Sequence, residues 1–135
     1  MFLRPLVGRY EGFMEKISDS AKFTEVYHLI MKAGEAFSRL SSNIPKALLE
    51  VQQHIHGSLD ESAYHVFKAS NTFDNTDKVR HLTVAQEDIF FLYNRIEYLV
   101  KARGISIGQA NEFILVLREC HIQIGKWLTS ARKSF

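Results

Sequence analysis

The sequence predicts an all-α protein, an antiparallel up-and-down four-helix bundle with an N-terminal arm. Apolar residues recur at three- and four-residue steps along most of the chain, and no stretch alternates apolar and polar residues as a half-buried strand would. The breaks between the periodic stretches are short, which obliges consecutive helices to run antiparallel. At 135 residues the chain makes one domain that buries roughly two thirds of the surface its unfolded form exposes. The expected division is an arm or short helix over 1–18 and the bundle over 19–135.

In the arm, Phe2, Leu3, Leu6, Val7, Tyr10, Met14 and Ile17 fit one helical face, which Pro5, Gly8 and Gly12 weaken. Its polar side is not especially basic, so packing on the bundle or on a neighbouring subunit is preferred to lying on a membrane. Helix one begins near Ser20 and carries Phe23, Val26, Tyr27, Ile30, Ala33, Phe37 and Leu40 as its stripe. It stops at "SSNIPK", where Asn43 can close it and Pro45 both restricts Ile44 and suits the first turn of a new helix.

Helix two uses Leu48, Val51, Ile55, Leu59, Ser62, Val66 and Ala69 and runs to about Ser70. Gly57-Ser58 with Glu61 also spells a capping box, leaving open a break or kink there. After the polar loop "NTFDNT", helix three carries Val79, Leu82, Ile89, Leu92, Tyr93, Ile96, Leu99 and Val100. It ends at "KARG", with Lys101 and Arg103 where the helix dipole favours cations and Gly104 at the expected left-handed cap. Ser106 and Gln109 form a capping box that opens helix four, whose stripe is Ala110, Phe113, Leu117, Cys120 or His121, Ile124 and Leu128.

Composition excludes several functional classes. The one cysteine, Cys120, rules out an intramolecular disulfide and a thiolate zinc cage, and makes the cytoplasm the expected location. The start shows no export signal, and no run approaches the length of a membrane span. Glu25 with His28 is half of a di-iron motif, and His54 and His56 point to different sides of a helix, so no metal site and no cofactor are expected. Adjacent Cys120 and His121 do not face each other as a nucleophile and base must. "GKW" puts tryptophan where a phosphate loop requires a hydroxyl. No enzyme is legible in these residues.

The net charge of +2 is unevenly spread: from Ile105 onward Arg118, Lys126, Arg132 and Lys133 stand against Glu112 and Glu119. Arg118, Lys126 and Lys133 are eight and seven residues apart, so they fall near one face of a helix and suit a phosphate backbone, as well as complementing the helix dipole. Beside them, Gly125 permits close approach. Trp127 reads as a packing or subunit-interface anchor rather than a base-stacking platform.

Several segments in order complete a pattern: "IPK" opening helix two, "HGSL" and "FKAS" within it, "KVRHLTVAQEDIFFLYNRIEYL" as helix three and "IGKWL" in helix four. From about Phe23 to Lys133 the chain resembles the Avd proteins, the accessory variability determinants of bacterial and phage diversity-generating retroelements. Their relatives are the bundle proteins encoded in intervening sequences of 23S ribosomal RNA genes. "NIPKALLEVQQHIHG" stands where that second branch typically has a "SIPANIAEG"-like stretch, which favours the Avd branch.

The resemblance implies a homopentameric barrel of four-helix protomers that binds a reverse transcriptase and its template RNA or cDNA in support of mutagenic reverse transcription. It implies no catalytic residues, and phosphate contacts at Lys46, Lys78, Arg80, Lys126, Arg132 and Lys133. The chain departs from the family in charge, since Avd proteins are usually strongly basic; five copies would repeat a modest basic face around a ring. The alternative is an oligomeric interaction module of the intervening-sequence type that binds protein and no nucleic acid.

Overall fold

The computed structural model describes the backbone of residues 3–133 and the side chains of residues 14–133. Four helices make up almost all of it: α1 (Leu3–Ser41), α2 (Leu49–Asn71), α3 (Asn75–Lys101) and α4 (Ile107–Lys133), with a single 3-10 turn, Lys46–Leu48, leading into α2. No strand occurs among the described residues. Each helix packs on its neighbours in chain order, and α4 closes the arrangement against α1. One core of buried side chains runs through all four, from Val26, Ile30 and Phe37 through Ile55, Val66, Leu82 and Ile89 to Phe113, Leu117 and Leu128.

The helices are bounded differently from the sequence reading at two places. α1 is one helix of 39 residues, with no break near residue 18 where an arm was expected to end. Pro5 falls in its first turn, where a missing N–H costs no helical bond. The packing expected of Phe2, Leu3, Leu6, Val7 and Tyr10 lies outside the described side chains; Met14 and Ile17, next on that stripe, are exposed. α2 passes through Gly57 without interruption. Ser58 is buried there instead of capping a new helix, and Ser62 satisfies its hydroxyl on the Leu59 carbonyl at 2.8 Å.

The helix ends show where local chemistry was legible. Ser106 and Gln109 form the reciprocal capping box, Ser106 N–H donating to Gln109 Oε1 at 2.8 Å and Gln109 N–H to Ser106 Oγ at 3.1 Å. Asp74 caps α3 by accepting from the N–H groups of Thr76 and Asp77 at 2.8 and 3.3 Å. At the end of α3 the left-handed residue is Arg103, with φ 61°, and not Gly104. Arg103 N–H donates to Val100 O and Gly104 N–H to Leu99 O, the paired bonds of a Schellman closure. A Cβ at Gly104 would sit 2.7 Å from Leu48 Cδ1, so the tip of that leucine would have to shift to admit one.

The core face of α3 is also rotated from the expected stripe. Lys78, Leu82, Ala85, Ile89, Leu92, Ile96 and Leu99 are buried, while Val79, Tyr93 and Val100 flank them as half-buried neighbours. Tyr27 of the α1 stripe likewise lies at the surface. In α4 the choice between Cys120 and His121 falls to Cys120, which is buried; burial pushes its thiol up to about 12.

Candidate nucleic-acid interface

The sequence-predicted bases are distributed over both ends of the bundle. Lys46 is exposed on the 3-10 turn between α1 and α2. Lys126, Arg132 and Lys133 are exposed near the opposite end, where α4 finishes beside the α2–α3 connection: Asn75 Nδ2 donates to the Ala131 carbonyl at 3.4 Å. Arg118 is exposed midway along α4, so it shares a helix with them but not an end. Among the described residues no carboxylate lies within ion-pair distance of Arg118, Lys126, Arg132 or Lys133. Arg80 is exposed at the same end and pairs with Asp77 at 3.2 Å.

Lys78 does not belong to this set. Its side chain is 2% exposed, and its ammonium sits 2.8 Å from both Glu15 Oε1 and Asp19 Oδ2. Burial opposes the charge, and the hydrogen bonds to Asp19 and Glu15 outweigh that opposition, so the ammonium titrates above the ordinary lysine range. A phosphate would have to displace two carboxylates from inside the bundle to reach it, which corrects its assignment as a phosphate contact.

Trp127 is likewise internal. It is 1% exposed and its indole N–H donates to Asp19 Oδ1 at 3.0 Å, so it is a packing anchor within one protomer and not a stacking surface. Asp19 thereby joins three helices, accepting from Trp127 of α4 and facing Lys78 of α3. This buried network escaped the sequence reading, although Lys78 sits four residues before Leu82 and Asp19 seven before Val26, both in core register. Gly125 is half-buried, and a Cβ there would stand 3.4 Å from Gln86 Nε2 of α3, an ordinary contact that does not demand glycine.

Two further cations at this end were not singled out by sequence. Lys16 donates to the carbonyls of Ser70 and Thr72 at 2.7 and 2.5 Å and covers the Phe73 ring, while Lys22 donates to Ser130 Oγ at 3.0 Å. The acids nearby are already engaged: Glu15 and Asp19 by Lys78, Asp77 by Arg80, and Asp74 by the backbone of α3. Exposed bases without carboxylate partners among the described residues therefore gather at the α4 end despite the small net charge.

His28 is exposed, His56 packs edge-on against Phe37, and His54 faces Glu50 at 3.9 Å. Among the described residues no group of three or more metal-ligating side chains is assembled, and no helix is long and apolar enough to cross a membrane. No protein family, curated protein or solved structure matches the chain.

Proposed function

We propose that this protein is a non-enzymatic accessory of a reverse transcriptase, of the Avd type, that holds nucleic acid through its phosphates. The observation that carries this reading is the outer face and end of α4, where Arg118, Lys126, Arg132 and Lys133 are exposed and, among the described residues, have no carboxylate partner. Such groups neutralise phosphates by releasing counterions. The order and spacing of the segments that resemble Avd proteins supply the reverse transcriptase and template RNA as partners, and a ring of five copies as the assembly that multiplies a modest basic face.

The deciding measurement is RNA affinity as a function of salt, for the unchanged protein and for Lys126→Glu with Lys133→Glu. Affinity that falls steeply with ionic strength and drops on charge reversal supports the reading. No binding at low salt defeats it.

A second reading rests on a different surface. Between α1 and α2 an open groove of about 630 Å³ is lined in part by Tyr27, Met31, Gly34, His56 and Ala63, and Tyr27 and Met31 are exposed along it. A protein-only interaction module would use such apolar faces. It would retain a protein partner without RNA and ignore charge reversal on α4.

A further inference from the structure

Phe73 has the largest exposure of any large apolar side chain among the described residues, 77%. It stands on the three-residue connection between α2 and α3, and its sequence neighbours Asn71, Thr72, Asp74 and Asn75 are polar. The Lys16 ammonium covers its ring at 4.7 Å from the centroid, fixed there by the carbonyls of Ser70 and Thr72. Two residues on, Asn75 touches Ala131, immediately before Arg132 and Lys133. A solvent-facing aromatic ring is thus set among cations, at the end of the molecule whose acids are already engaged.

We infer that this end is a platform for a single-stranded segment of nucleic acid, with one base stacked on the free face of Phe73 and the flanking phosphates met by Arg132 and Lys133. The chemistry selects the strand form. A base paired within a duplex has both faces covered by its neighbours, whereas an unpaired base offers a free π-face. A phenyl ring makes no hydrogen bonds, so the platform accepts any base. An apolar protein partner fits less well, because the residues flanking the ring in the chain are polar and a cation covers its back. The cation on the back of the ring restrains it, so little side-chain freedom is lost when a base arrives.

This inference rests on the proposed nucleic-acid reading, and one experiment separates the two. Labelled oligouridine, oligothymidine and a duplex of equal length are titrated at low salt against the full chain and Phe73→Ala. The substitution should weaken binding to single strands about 5- to 100-fold, the usual effect of removing one stacking ring, and leave duplex binding unchanged. Phe73→Tyr should restore it. Equal loss on duplex, or no loss on either single strand, overturns the platform while leaving the phosphate reading standing. No binding of any probe by the unchanged protein overturns the phosphate reading itself.

A Phe73→Trp variant adds an optical readout. The native Trp127 is buried, so emission that changes when an oligonucleotide is added comes from position 73. Quenching is expected, and its absence in a variant that binds single strands overturns the platform. At 77% exposure none of these changes disturbs the core.

Discussion

Lys78 Nζ lies 2.8 Å from Asp19 Oδ2 inside the bundle, with both side chains less than 5% exposed. Removing one partner strands the other charge away from water, and that loss costs about 3–5 kcal/mol. Lys78→Ala should therefore lower the free energy of unfolding by that amount in urea titrations. Lys78→Met with Asp19→Asn should recover part of it, because asparagine still accepts from Trp127. The ammonium's folded pKa is raised, so its stabilisation is complete below the ordinary lysine value of 10.5 and is lost as pH rises above it.

Asp88 on α3 is half-buried, and its Oδ2 has no hydrogen-bond partner among the described residues. Burial, helped by Glu61 and Glu87, raises its carboxyl from 3.8 to about 7. The folded state thus holds this proton more tightly than the unfolded chain, and stability falls as pH rises from about 4 through about 7. Asp88→Asn should flatten that slope and raise stability at pH 8 by on the order of 1 kcal/mol, a figure reduced for the group's access to solvent.

Across the same α2–α3 seam, His65 Nδ1 and His81 Nδ1 are 2.9 Å apart, with Glu61 Oε1 3.7 Å from His65 Nε2. One proton between the two nitrogens bonds them, while a proton on each sets two N–H groups head to head. Burial, then Arg80 and His65, hold His81 below 6.5. Its contribution is therefore present above pH 6.5 and lost as pH falls through the lower folded value. Thermal melts between pH 7 and pH 5 should show the loss in the unchanged protein and a reduced loss in His81→Asn.

Arg103 carries a left-handed backbone that a side chain tolerates poorly. Arg103→Gly should raise the melting temperature, with a gain of about 1 kcal/mol. Gly104→Ala should lower it, because the added methyl meets Leu48. Exchange of these two roles would show as opposite signs from the two substitutions in thermal denaturation.

For nucleic acid, each phosphate contact removed should reduce the slope of log affinity against log salt by about 0.7 for a single strand and 0.9 for a duplex. Lys126→Glu with Lys133→Glu should show this in fluorescence anisotropy titrations. Lys46→Glu, at the opposite end of the bundle, should change the slope less.

The four helices were legible because their stripes are long and their ends carry local signals, as at Ser106 and Gln109. The start of α1 was not, because Gly8 and Gly12 argue against a helix locally, and the helix is continuous over them. Two positions of the proposed interface illustrate a similar divide. Lys126 and Lys133 follow from helical spacing alone, but Lys78 looks the same as any first-turn lysine until Glu15 and Asp19, some sixty residues earlier, are placed beside it. Charge type is written in the chain; whether a charge meets solvent is decided by partners distant in sequence. Phe73 is illegible for the same reason, since the exposure of a loop aromatic depends on what packs beside it.

Because each helix packs on its chain neighbours, most contacts form between segments close in sequence, the pattern associated with folding in microseconds to milliseconds. Bringing α4 against α1 joins the helices farthest apart in the chain, and Trp127 bonds to Asp19 across that seam, 108 residues away. The sole tryptophan therefore acts as a built-in clock for ring closure: its fluorescence should report the docking of the last helix on the first, while circular dichroism reports the helices themselves.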